Sequence, residues 1–426
     1  MFAPCRQESM HERVYMSLHN NETSSTANPF RWIFRCDTST SMRSFHHSYF
    51  KIHVRLHKDE TNAALGAEET SVVNQLGLSL MRNIDVYCND ERVYSHDEHH
   101  LSAYLENSLT YSCEAKSTWP QLSGWHPDEA GKFDTMTVAG NAAFATRREP
   151  LKDGAELVYW VRPNCFPFIL GQKLWPGGLP MRFEIDRTPD KIVLLSALAA
   201  PASKARLEIT KIYLMVQNVE LRPAQRLLMD RGFARGGHYP FESVKVQTYN
   251  IPRGQTVWEL GNHSLCLTGL PRLLYMCLVT ETSFLGDLKA NPFAFKHHDL
   301  KEVQIQLDGR DLWYAGGIRV DFEKNNWSEL YFELLSSLGY MWNTHAGLDM
   351  SLADYALDNV IVAADFSKKF PQAVGQTRSP QDLTVRLRFA KATTENMRLI
   401  CFGVYGNEAV IKATKQGYYE IALLHD

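Results

Sequence analysis

The 426-residue chain contains no run of five or more basic residues, and its net charge is −3. A protein that neutralises many phosphates shows a basic face or arm, so no sequence-specific nucleic-acid partner is expected. Its eight cysteines (Cys5, Cys36, Cys88, Cys113, Cys165, Cys266, Cys277, Cys401) come no closer than the eleven residues between Cys266 and Cys277. Without C-x-x-C spacing there is no metal or redox pair to read. The thiols are those of a reduced, intracellularly made protein, mostly buried. The most apolar stretch, Ile192 to Ala202, is far shorter than the ~18–20 residues of a spanning helix, so no membrane span is expected. Met1-Phe-Ala-Pro-Cys-Arg lacks the charged-then-apolar order of a secretory leader. The expectation is a soluble chain in which the N-x-S/T triplets at Asn21, Asn262 and Asn326 are chance matches.

Catalytic patterns are missing too. No H-E-x-x-H, G-x-S-x-G or P-loop occurs. His96-Asp-Glu-His99-His100 invites a metal reading, but its glutamate directly precedes the histidine pair, and the plainer account is the polar first turn of a helix. His46-His47 and His297-His298 are neighbours that would point to opposite faces of a strand. Asp128-Glu129 reads as solvated loop charge rather than an acid/base couple. Catalytic, cofactor-binding and metal residues are therefore all expected to be none, and the chain is not read as an enzyme.

What the chain does have is strands. With 44% apolar and 22% charged residues it is an ordinary folding sequence, and period two dominates. Phe50, Ile52, Val54 and Leu56 alternate with Lys51, His53, Arg55 and His57; Leu383, Val385, Leu387 and Phe389 do the same. Val303, Ile305 and Leu307 lead into Asp308-Gly309, a hairpin turn whose residues tolerate φ > 0. From Leu207 and Ile209 to Ile212, Leu214 and Val216 the phase flips, which predicts a β-bulge at Thr210-Lys211. Met397 to Val404 is apolar on both faces, as in a strand covered on both sides. Two helices are expected. One follows a Ser95-x-x-Glu98 capping box and carries Leu101, Tyr104, Leu105 and Leu109. The other begins near Asn326-x-x-Glu329 and carries Tyr331, Leu334, Leu335 and Leu338.

The elements recur in one order. A strand (Phe50–Leu56; Arg272–Val279) precedes a strand-turn-strand (Ile84–Tyr94 around Asn89-Asp90; Val303–Trp313 around Asp308-Gly309). A helix, a loop and three strands follow in each half. A boundary falls at residues 222 to 240, where Pro223, Gly232, Gly236, Gly237 and Pro240 enclose a short helical piece, Ala224 to Met229. The reading is mostly β: two jelly-roll β-sandwiches in tandem with short inserted helices, since immunoglobulin sandwiches are about half the size. The divisions are an N-terminal arm (1–29), a first roll (30–222), a linker with a short helix (223–240) and a second roll (241–426). Metal-binding jelly rolls of the cupin type need His-x-His on one strand, and none occurs.

Several segments resemble the major capsid proteins of Polinton (Maverick) elements and adintoviruses, double jelly-roll proteins of adenovirus-hexon-like architecture. They are Val73-Asn74 through Asp90 with the helix ending at Leu109-Thr110-Tyr111, and Trp125-His-Pro-Asp-Glu-Ala-Gly-Lys-Phe-Asp134. Further along come Tyr239-Pro240 to Ile251-Pro-Arg-Gly254, Leu270-Pro-Arg272, and Asn291-Pro-Phe-x-Phe-Lys-His-x-x-Leu300. Together they span about residues 70 to 310; their order and spacing, not any one tripeptide, carry the likeness. The resemblance implies two upright jelly rolls per subunit, a homotrimer forming a pseudo-hexagonal capsomer, and an icosahedral virion shell assembled inside a host cell. Its partners would be further capsomers and penton or minor capsid proteins. The loops near 95–150 and 313–355 would form the tower and trimer contacts.

Trp313, Tyr314, Trp327, Tyr331 and Trp342 cluster after the second hairpin. They suit a subunit interface, a core beneath the inserted helix, or a sugar-binding face. Two further readings stand beside the capsid: a cellular β-sandwich protein that binds carbohydrate or another protein, and a capsid gene resident in an animal genome.

Overall fold

The computed structural model describes residues 10–19, 31–58, 63–66, 68–162, 173–198, 204–260, 269–343, 347–371, 374, 382–414 and 419–425. Cys5, Cys165, Cys266, Asn21 and Asn262 lie outside them, as do residues 1–9 and 20–29 of the segment read as an arm.

Among the described residues the first half contributes ten strands: β1 (Met10–His19), β2 (Arg31–Cys36), β3 (Met42–Lys58), β4 (Thr70–Val72), β5 (Met81–Cys88), β6 (Glu91–His96), β7 (Leu157–Val161), β8 (Met181–Arg187), β9 (Leu194–Ser196) and β10 (Ala205–Leu221). The second contributes β11 (Gly237–Ile251), β12 (Val257–Leu260), β13 (Leu273–Thr280), β14 (Leu300–Leu307), β15 (Arg310–Asp311), β16 (Ile318–Arg319), β17 (Ile361–Asp365), β18 (Leu383–Phe389), β19 (Met397–Ala413) and β20 (Tyr419–His425). Leaving aside the short β4–β9 pair and the accessory β16 and β20, each half pairs alike. One sheet runs β1-β10-β3-β7, the other β2-β8-β5-β6; their counterparts are β11-β19-β13-β17 and β12-β18-β14-β15. In both halves the first, eighth, third and sixth strands form one sheet and the second, seventh, fourth and fifth the other. This is the jelly-roll connection, and the chain makes it twice.

The alternating runs produce these sheets as expected. Phe50, Ile52, Val54 and Leu56 are fully buried while Arg55 is exposed; His57, assigned to the wet face, is buried beside Glu208. The bulge falls at Thr210, where Ile209 pairs with Val54 and Lys211 with His53. Asn89, Asp90, Asp308 and Gly309 all have positive φ at their hairpin turns. β19 is buried on both faces from Leu399 to Val404.

The helix starts differ from expectation. Ser95 lies inside β6 opposite Asp85, and the helix His99–Thr110 follows Glu98 in the left-handed region with no side-chain cap. The strand holds Ser95, and Glu98 is drawn instead to Arg82, 2.7 Å away. Asn326 is likewise bound by its backbone to Asp321, so the helix Ser328–Ser337 begins after it, uncapped. A true capping box sits at Ser351 and Asp354, before the helix Leu352–Asp358.

Residues 10–19, within the segment the sequence assigns to an arm, are a strand paired with β10 from Met10–Leu221 to His19–Tyr213. The helix after β10 runs Pro223–Arg235 straight through Gly232. Residues 237–240, assigned to the linker, open β11, with Pro240 in an edge strand that tolerates its missing N–H.

Register fixes how the rolls stand. Val219 lies opposite Met42 and Ala205 opposite Lys58; Gly237 lies opposite Ile411 and Ile251 opposite Met397. The Pro223–Arg235 helix therefore joins the Val219 end of one roll to the Gly237 end of the other. β7 enters beside Val54 and β17 beside Cys277, so the long insertions preceding both strands rise from the opposite end. The rolls stand parallel, with one shared base and one shared top. At the base, Trp175 is bridged to Arg43 and packs its ring 4.6 Å from that of Tyr239, whose hydroxyl donates to the Leu174 carbonyl at 2.6 Å. The same loop holds Gly177, whose carbonyl accepts from Ser39 N at 2.8 Å. A Cβ there would meet the Ser41 and Ser39 carbonyl oxygens at 1.8 and 2.6 Å. Gly177→Ala is expected to destabilise the protein by roughly 1–3 kcal/mol, the usual cost of overpacking, measured as a lowered urea midpoint.

Candidate assembly surface

Two of the segments that carry the resemblance meet at the top of the molecule. The 125–134 loop comes from the first roll and the 291–300 segment from the second; Asp128 and Asn291 join them. Asp128 pairs with Arg147 at 2.8 Å, their side chains 1% and 2% exposed. Burial of both ions is tolerable only with every lone pair and proton occupied. Asp128 also accepts from Asn141 Nδ2 at 2.8 Å and Asn291 Nδ2 at 3.3 Å. Arg147 donates to the carbonyls of Val72 and His126. Asn141 in turn caps the helix Ala142–Arg148 through Phe144 N. From the second roll, Asn291 reaches the Phe133 carbonyl and Asp134, Lys296 pairs with Asp134 at 2.5 Å, and Asp358 accepts from Gly131 N at 2.7 Å. Burial raises the Asp358 carboxyl above its usual range. Asp128, expected to be solvated, is thus the centre of the joint between rolls, while its neighbour Glu129 is exposed as expected.

Aromatic packing backs the polar joint. Tyr104, on the helix His99–Thr110, stacks on Phe293 with centroids 4.1 Å apart and planes at 6°, and on Trp125 at 5.7 Å. The histidines at the start of that helix are core residues. His96 lies 2.8 Å from the Tyr94 hydroxyl and 2.6 Å from Ser102 Oγ, and His99 Nδ1 lies 3.3 Å from the Met81 carbonyl. His100 stands 3.5 Å from Glu98. Among the described residues no group of three or more potential ligands could hold a metal. Burial lowers His99 and His100 to about 3 and His96 well below its ordinary value. Neither of the other pairs lies in a regularly paired stretch of strand. The His46 and His47 rings are 5.0 Å apart where β3 leaves register with β10. His297 and His298 lie in the turn before β14, His298 at φ 47°, with His297 stacked on Phe322 at 4.3 Å.

The five aromatics singled out by sequence divide. Trp313 is buried. Trp327 stacks on Phe322 and donates from Nε1 to the Leu352 carbonyl. Tyr331 donates to the Met350 carbonyl. Tyr314 and Trp342, by contrast, are 97% and 76% exposed. The same insertion exposes Phe332, Met341, Leu352 and Leu357, which sequence reading missed. Phe332 was detectable, since it lies off the buried stripe formed by Leu330 and Leu334. Six large apolar side chains of this insertion are therefore exposed.

No protein-family model matches the chain. An uncharacterized protein of Caenorhabditis elegans is 22% identical over 275 residues, 64% of this chain and 62% of that protein, so the chain spans less than two thirds of its relative. Among solved structures, that of the Sputnik virophage aligns with a TM-score of 0.66 at 10% identity, covering 99% of this chain and 90% of that one. The PBCV-1 virus capsid gives 0.59 at 11% identity, covering 99% of each. The mavirus major capsid protein gives 0.58 at 11%, covering 96% of this chain and 90% of its own. At such identities the likeness is one of fold, and that fold is the double jelly roll.

Removing the partner of a buried ion costs about 3–5 kcal/mol, so Arg147→Met should lower stability by that much in urea unfolding. The buried histidines set a pH dependence. They stay neutral in the fold but protonate near 6.5 when unfolded, so stability falls as pH drops from about 6.5 towards 3, by roughly 1.4 kcal/mol per pH unit for each histidine. Melting temperatures across that range check the sign; His100→Asn should flatten the slope by one proton's share.

Proposed function

We propose that this chain is the major capsid protein of a DNA virus or virus-like transposon, and that it trimerises into pseudo-hexagonal capsomers of an icosahedral shell. The observation that carries the reading is the paired jelly-roll connection, standing as two parallel rolls and matching viral capsid structures along nearly their whole length. Six rolls from three chains make a near-hexagonal block, which a single-roll chain would reach only by forming a hexamer. The rolls divide at the Pro223–Arg235 helix. Each supplies a rigid wall, while the insertions make the contacts between subunits. Repeated head-to-tail contacts close into a ring when the rotation is right, and Tyr314 and Trp342 are the side chains offered for them. A penton or minor capsid protein would complete the virion shell. The relative in Caenorhabditis elegans favours a virus-like element of the Polinton or adintovirus kind, resident in animal genomes. Assembly without catalysis accounts for a chain in which the unusual ionisable groups are buried joints.

Light scattering on the purified chain tests this. The expected mass is about 146 kDa, three times the 48.7 kDa of one chain. Tyr314→Ser with Trp342→Ser should shift the mass towards 48.7 kDa while leaving the melting temperature of the monomer unchanged. A well-folded wild-type monomer that persists at high concentration would count against the capsid reading.

A further inference from the structure

We propose that the Pro223–Arg235 helix at the base is a docking surface for an anionic lipid bilayer. The helix buries Met229 and Phe233, and Phe233 packs edge-on against Tyr419, their centroids 5.4 Å apart. At 3.6 residues per turn, the opposite face carries Leu227, Arg231, Leu228 and Arg235. Leu227 and Leu228 are 54% and 63% exposed. Arg222, Arg226, Arg231 and Arg235 are all exposed as well. Against these four arginines residues 222–235 contain one acid, Asp230, which gives the segment +3 in a chain whose total is −3. Asp230 itself lies 3.4 Å from the Tyr419 hydroxyl.

Exposed leucines interleaved with arginines are the chemistry of an interfacial helix. Guanidinium groups bind lipid phosphates, their aliphatic stems lie along the acyl boundary, and the leucines enter it. Nucleic acid would satisfy the arginines but gives no apolar environment to two adjacent leucines on the same face. The position fits as well. The helix links the Val219 end of β10 to the Gly237 end of β11, so it lies at the end opposite the Asp128–Asn291 joint.

Co-sedimentation of the full chain with phosphatidylcholine vesicles, with and without phosphatidylserine, tests the proposal. Binding is expected only to the phosphatidylserine vesicles and should fall as salt screens the charge. Arg231→Glu with Arg235→Glu, and separately Leu227→Ser with Leu228→Ser, should each weaken binding at least about tenfold. All four positions are solvent-facing, and circular dichroism checks that the fold is retained. Failure of the wild-type chain to sediment with phosphatidylserine vesicles would overturn the proposal. So would full binding by the leucine variant alongside loss by the arginine variant, which would assign the surface to a polyanion such as nucleic acid. Equal binding by all three proteins would overturn it too.

Discussion

The buried ion pair between Asp128 and Arg147 is the constraint on which the arrangement of the molecule turns. Neither charge could remain dry without the other, and together they still leave an Asp128 oxygen to be satisfied. That oxygen is met by Asn291, from the other roll. A polar joint of this kind has one good geometry, whereas apolar surfaces slide at little cost; the ions therefore act as a register device more than a source of net stability. Once Asn291 is held, Phe293 lies on Tyr104 and the tops of the two rolls are fixed. Trp175 and Tyr239 do the same at the base. Pinned at both ends, two sandwiches that share no sheet behave as one upright block.

The two rolls form a block with unlike surfaces. The second insertion exposes aromatic and aliphatic side chains, and the base carries a cationic helix with exposed leucines. The walls between are strands. Five of the described chain's cysteines lie among these elements as free thiols, four of them buried, and burial raises Cys36 to about 12. Burial raises the other three buried thiols as well, the opposite of the lowered pKa of a nucleophilic thiol.

Much of this was legible because β structure writes itself locally. Period-two alternation located β3, β14 and β18, the Asp308-Gly309 turn gave the hairpin between β14 and β15, and a phase slip gave the bulge at Thr210. The repeated order of elements matched strands three to eight of one roll with those of the other. What failed to read depends on residues far apart in sequence. Asp128 looks like a loop charge until Arg147, 19 residues on, and Asn291, 163 residues on, close around it. Ser95 and Glu98 have the spacing of a cap, but the partners of β6 and the guanidinium of Arg82 outbid it. β1 pairs with a strand roughly 200 residues away, so nothing near residues 10–19 announces its partner. The aromatic cluster divided because Trp327 and Tyr331 find carbonyl partners at Leu352 and Met350 while Tyr314 and Trp342 sit in short exposed turns, which composition alone does not convey.

Electron microscopy of the purified oligomer, averaged face-on, reaches the central claim most directly. Parallel rolls locked at both ends predict a three-fold particle with six lobes in a pseudo-hexagonal outline. A two-fold particle, or three lobes with the second roll of each chain swung free, would contradict the account.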